Sequence, residues 1–192
     1  KGERATKLLK EAQRGLTSDV LKLKATVLLA RFTYAESIEL QNDVLVQLEE
    51  ALRDFDLQVD VKDHVHEIHG YNTAACYHAY VGRFDEAQSC LTKAESLLNK
   101  HTDRSPSLLE ASFHEASSIK EDRLGHAEEE AHHVQQMYTI RKHLLGQNSF
   151  LTLHALRDLV ISLSDTDPAQ GVEIANDLVR AVDSNSHSVI VF

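Results

Sequence analysis

The chain is 192 residues long, enough for one domain or one array of repeats, and carries a formal net charge of −10 with a sequence pI near 5.6. That acidity opposes generic binding to nucleic acid or to an anionic membrane, since both require a positive face. Only 7 Gly and 2 Pro interrupt a sequence rich in Leu, Ala, Glu and Lys, so an all-α fold is expected, and no apolar run of about 18 residues is present to span a membrane.

Taken in order, residues 1–16 predict a leading helix with Ala5, Leu8, Leu9 and Ala12 as its stripe, stopped by Gly15. A first hairpin is expected over 18–58. Its opening helix, with Val20, Leu23, Val27, Leu28 and Phe32, is apolar almost all round; its second, capped by Asn42 or Asp43, carries Leu45, Leu48 and Leu52 at helical spacing. A second hairpin spans 63–100, from near Asp63 to Val81, through Gly82, and back from Phe84 with Ala87, Leu91, Ala94 and Leu97 on one face. A third spans 106–146, with Ser105 read as the cap, Pro106 in the first turn and Gly146 as the stop. The fourth, 149–183, starts at Asn148 or Ser149, turns through Asp165-Thr166-Asp167-Pro168 and ends near Val182, which makes about nine antiparallel helices in one domain, residues 1–183. Residues 184–192 read as a tail or the severed start of a next unit. Lys1 in place of Met, and the ending SHSVIVF, lead us to read the chain as a piece of a longer protein.

The period decides the architecture. Gly82 and Gly125 are 43 residues apart, Gly125 and Asp167 are 42, and Ala51, Ala94, Met137 and Val179 keep the same frame at 43, 43 and 42. Self-similarity at a fixed spacing marks a stacked repeat array. The segment Gly82-Arg-Phe-Asp-Glu-Ala87 followed by Leu91, Ala94 and Leu97 resembles the tetratricopeptide repeat, and the longer period, with Leu144-Leu145-Gly146 and Thr152-Leu153-His154-Ala155-Leu156, resembles the extended variety found in kinesin light chains and many bacterial regulators. The likeness runs from about Val20 to Val182. It departs from the pattern at Asp167, where a turn Gly belongs, at Val172 and Glu130, where a small Ala belongs, and over 20–55, which lacks GxFxxA altogether.

The resemblance implies a right-handed α–α superhelix whose concave surface, lined by the first helix of each pair, holds a peptide or partner helix. Carried over to this sequence, the groove positions are Asn72, Thr73, Cys76 and Tyr80 in the best-matching unit. Glu115, Ile119 and Arg123 follow in the next, then His154, Arg157 and Asp158 in the last. The places that hold a carboxylate clamp in chaperone-binding relatives are occupied here by Asn72, Cys76, Ala116, His154 and Asp158, so that mechanism is not expected.

Twelve histidines are the compositional oddity. His66 and His69 lie one turn apart and His132-His133 follow His126, but no HExxH or other diagnostic ligand spacing occurs, and scattered surface histidines are the reading preferred over a zinc site; a pH response would need a buried one. Cys76 and Cys90, on the two helices of one hairpin, read as buried reduced thiols. No phosphate loop or nucleophile motif is present, so no enzyme activity and no cofactor is expected. The sequence thus reads as a cytoplasmic protein–protein interaction module, with a peptide- or signal-sensing regulatory domain as the alternative, and self-association through Val189–Phe192 as a route to a homo-oligomer.

Overall fold

A computed structural model describes residues 22, 26–27, 45–53, 64–101 and 106–184, and every regular element among them is helical. We number these α1 (45–53), α2 (His64–Tyr80), α3 (Phe84–His101), α4 (Leu108–Leu124), α5 (Ala127–Leu145), α6 (Phe150–Thr166) and α7 (Pro168–Ser184). Seven helices are thus delimited among the described residues, against the nine expected. The expected helix at 1–16 and the tail at 185–192 lie outside them, and of the next expected helix only Lys22, Thr26 and Val27 are described, all helical. The chain divides into two compact units, Lys1–His101 and Thr102–Phe192.

In the first unit α1 buries Leu45, Leu48 and Leu52, the i, i+3, i+7 stripe of one helical face. α2 packs against α3, and the residues buried on the two helices include the small Ala74, Ala75 and Ala79 on α2 and Ala87, Leu91, Ala94 and Leu98 on α3. Alanines let two helices approach closely, and each fully buried Leu adds about 1.5–3 kcal/mol of transfer free energy. The turn between them is set by Gly82, whose φ of +78° is left-handed. Its N–H bonds to Ala79 O and that of Arg83 to His78 O, satisfying carbonyls that the helix end would leave bare.

The second unit repeats the device. Gly125, at φ +76°, donates to Asp122 O, and the His126 N–H reaches Glu121 O. Here α4, α5, α6 and α7 pack each on the next around Ala111, Ala131, Val134, Met137, Ile140, Ala155, Leu159 and Leu163, with Ile174 of α7 against this core.

Three sequence expectations are corrected here. The cap of α4 is Ser107, not Ser105: its hydroxyl accepts from Glu110 N at 3.1 Å, which places Pro106 before the helix rather than in its first turn. Ser107 wins because it stands three residues before a Glu, the capping-box spacing. At the fourth turn Asp167 itself caps α7, accepting from Gln170 N, so the helix starts one residue sooner after the turn position than α3 or α5 does. The first helical N–H to bond back four residues then belongs to Gly171, as it belongs to Ala87 in α3. Gly171 therefore supplies the small residue, its Cα facing Leu163 of α6 where a Cβ would sit 3.5 Å away, while Val172 turns outward at 64% exposure. In α5 the core takes Ala131 and leaves Glu130 half-buried. Finally, Ala94 and Met137 are buried in the shared frame but Val179 is exposed, since α7 packs on α6 and no later helix follows among the described residues.

Candidate functional site

The residues expected to bind a partner fall on the first helices of the hairpins, and the structure sorts them by what else they do. On α2, Asn72 is in the core at 4% exposure. Thr73 turns its hydroxyl back to His69 O at 2.8 Å, Cys76 is half-buried, and Tyr80 stands open at 43%. Both cysteines are free thiols, half-buried rather than fully so, and burial pushes the Cys90 thiol up to about 11, which keeps it protonated and unreactive at neutral pH.

On α4, Glu115 is committed to its own fold: Arg141 of α5, itself 5% exposed, donates Nη2–H to Glu115 Oε2 at 2.7 Å. A buried guanidinium without that carboxylate would be an uncompensated charge, so the pair is structural before it is anything else. Ile119 is half-buried, and Arg123, in the last turn of α4, is exposed where a cation suits the helix C-terminus.

On α6 the structure brings three expected residues together. His154 Nδ1 lies 3.0 Å from Asp158 Oδ2, one turn away. Arg157 donates to Asp158 Oδ1 from both Nε (3.1 Å) and Nη2 (2.6 Å), and Arg157 Nη2 lies 3.1 Å from His154 Nε2. Burial alone would raise the Asp158 carboxyl, but the hydrogen bonds from His154 and Arg157 outweigh it and hold the group below its ordinary range. The three side chains, all half-buried, form a hydrogen-bonded polar block midway along α6, flanked by Ile161 at 59% exposure.

Sequence reasoning did not find four other polar groups. His78, 3% exposed on α2, places Nε2 3.1 Å from Glu49 of α1, and burial holds its pKa down despite that carboxylate. Glu121 accepts from Lys120 (2.7 Å) and His126 (2.8 Å), which hold its carboxyl low against the effect of burial. His114 of α4 and His133 of α5 face each other with their Nδ1 atoms 3.1 Å apart. The repeat frame was the available signal: 43 residues separate His78 from Glu121, and both supply the carbonyl that closes their hairpin turn. The histidine cluster considered from sequence is tied differently, His64 Nδ1 lying 3.1 Å from Glu67 Oε2. Among the described residues no group of three or more His, Cys, Asp or Glu is arranged around a metal position, and no helix is long and apolar enough to cross a membrane.

Comparison with solved structures places this arrangement. A crystal structure of BtubC (BKLC) from P. vanneervenii superposes with a TM-score of 0.69 at 14% identity, covering 100% of this chain and 74% of that one. The putative kinesin light chain of Podosopora anserina, with nearly identical TPR-like repeats, superposes with a TM-score of 0.61 at 17% identity, covering 97% and 90%; a variant of the same protein gives 0.64. The fold is the tetratricopeptide-like solenoid of the kinesin light chain type. At 14–17% identity the likeness is one of fold. No family profile matches the chain, and no curated protein does.

Proposed function

We propose that this chain is a non-catalytic scaffold that binds a peptide or helix of another protein on the first-helix faces of its hairpins, α2 in one unit and α4 and α6 in the other. The observation that carries the reading is the His154–Arg157–Asp158 block. Its side chains hold one another on a half-exposed helix face, they belong to the set expected from the repeat type, and the hydrophobic core does not use them. An arginine already fixed by a carboxylate loses little rotamer freedom on binding, and arginine and tyrosine are enriched among residues that dominate interfaces. Tyr80, Arg123 and Arg157 are the anchors we assign, with Thr73, Cys76, Ile119, His154 and Asp158 around them. Asn72 and Glu115 serve the fold instead. A place within a larger cytoplasmic protein belongs to the same proposal.

The test is a native pull-down from source cells with the full chain as bait and the Arg123→Glu/Arg157→Glu pair as control. The proposal expects a protein retained by the natural sequence and lost by the charge-reversed one, with helix content unchanged by circular dichroism. Retention of the same proteins by both would remove these faces from the site.

A further inference from the structure

Among the described residues, the half-buried His114 of α4 and His133 of α5 bring two ring nitrogens from different helices together. Both Nδ1 atoms lie within 3.1 Å, the ring centroids are 5.3 Å apart and the planes are inclined by 39°. The residues are 19 positions apart in sequence and sit on the two helices of one hairpin, so α4–α5 packing, not local chain flexibility, sets their approach.

We propose that His114 and His133 form a two-nitrogen clamp for a borderline divalent metal ion of the Zn2+, Ni2+ or Cu2+ class, completed by water. With metal–nitrogen bonds of about 2.0–2.1 Å, two ligands on one tetrahedral ion stand about 3.3 Å apart and two cis ligands of a tetragonal ion about 2.9 Å. The observed separation lies between them, so the two nitrogens already stand at the spacing an ion requires, and the rings rotate to aim both lone pairs at it. A linear two-coordinate ion would need about 4 Å and does not fit.

The ring that donates Nδ1–H across the pair in the metal-free protein moves that proton to its own Nε2, which leaves both Nδ1 lone pairs for the metal. His132, exposed beside His133 with ring centroids 5.7 Å apart, is outside the pair. With two protein ligands the site is open, and its effect is to pin α4 to α5 whenever the ion is present.

Cu2+ alone, added to the full chain and followed by electron paramagnetic resonance, tests this. The natural sequence is expected to take up one Cu2+ tightly with couplings from two imidazole nitrogens. His114→Gln and His133→Gln should each weaken that uptake at least tenfold, and His132→Gln should leave it within twofold. Because a core substitution can unfold the hairpin, the same Cu2+ is added to the natural protein and the histidine ring protons are watched by NMR: those of His114 and His133 should broaden first. Tight uptake that survives both substitutions, earlier broadening of any other histidine, or no two-nitrogen signature overturns the proposal.

Discussion

The hairpins α2–α3 and α4–α5 share one turn, hydrogen bond for hydrogen bond, yet they fill the space between their helices differently. In the 43-residue frame, Tyr71 and Cys90 of the first correspond to His114 and His133 of the second, and Asn72 and Leu98 correspond to Glu115 and Arg141. The first hairpin seals these places with an aromatic ring under Lys93 (4.9 Å to the centroid), a thiol and a buried leucine. The second closes the same places with a facing imidazole pair and a buried ion pair. Backbone geometry is thus set by the glycine and the small residues, while the side chains between the helices differ from one hairpin to the other. The hairpin closed by polar pairs should be the one that responds to pH and to loss of a single partner.

The largest expected effect comes from separating the ion pair. Arg141→Leu alone strands Glu115 and should cost about 2–4 kcal/mol in urea unfolding. Installing both first-hairpin residues, E115N with R141L, should recover most of that. If the double substitution is as unstable as the single one, the two hairpins are not equivalent at these positions.

The next effect is that of pH. Unfolded imidazoles take up protons near pH 6.5, whereas folded His114 does so only near pH 4. The unfolded state therefore binds more protons in that window, and stability complete above pH 6.5 is lost as pH falls toward 4, on the order of 2–3 kcal/mol for the second unit. His133 and the first unit's His78 act in the same direction. Glu130, raised by burial and by Asp122, Asp165 and Asp158, opposes them in part. Equilibrium unfolding between pH 7 and 4 should show the decline, and His114→Gln should flatten it; an equally steep decline in that variant would show that other groups drive it.

Smaller effects sharpen the comparison at the helix ends. Ser107→Ala should lower stability by about 1 kcal/mol and Ser105→Ala far less, because only Ser107 caps α4. Gly171→Ala should be tolerated and raise the melting temperature slightly, by about 0.5–1 kcal/mol of helix propensity, since the added methyl meets Leu163 at ordinary contact distance. A fall in melting temperature would mean that α6 and α7 depend on the closer approach.

These cases also show where the sequence was legible. The period, the glycine turns and the starts of α3, α5 and α6 follow from spacing and local chemistry, and the structure places them within a residue or two. The position of the small residue in α7 was missed because Asp167 caps the helix and shifts its start by one residue. The polar pairs were missed for a more general reason: Glu115 and His114 look the same in sequence whether they meet water or a partner 19 or 26 residues away. Of the residues expected to face a partner, His154, Arg157 and Asp158 contact one another on α6, while Asn72 and Glu115 are engaged inward, because the same frame position serves core and surface in successive repeats.

The central claim, that first-helix faces receive a partner, is tested most directly by a photo-activated cross-linker placed singly at Tyr80, at Arg157 and, as control, at Glu173, which is exposed on the second helix of its pair. In source-cell extract the account predicts the same protein cross-linked from the Arg157 position, from the Tyr80 position or from both, and none from Glu173. Equal capture from Glu173, or capture from that position alone, would contradict it.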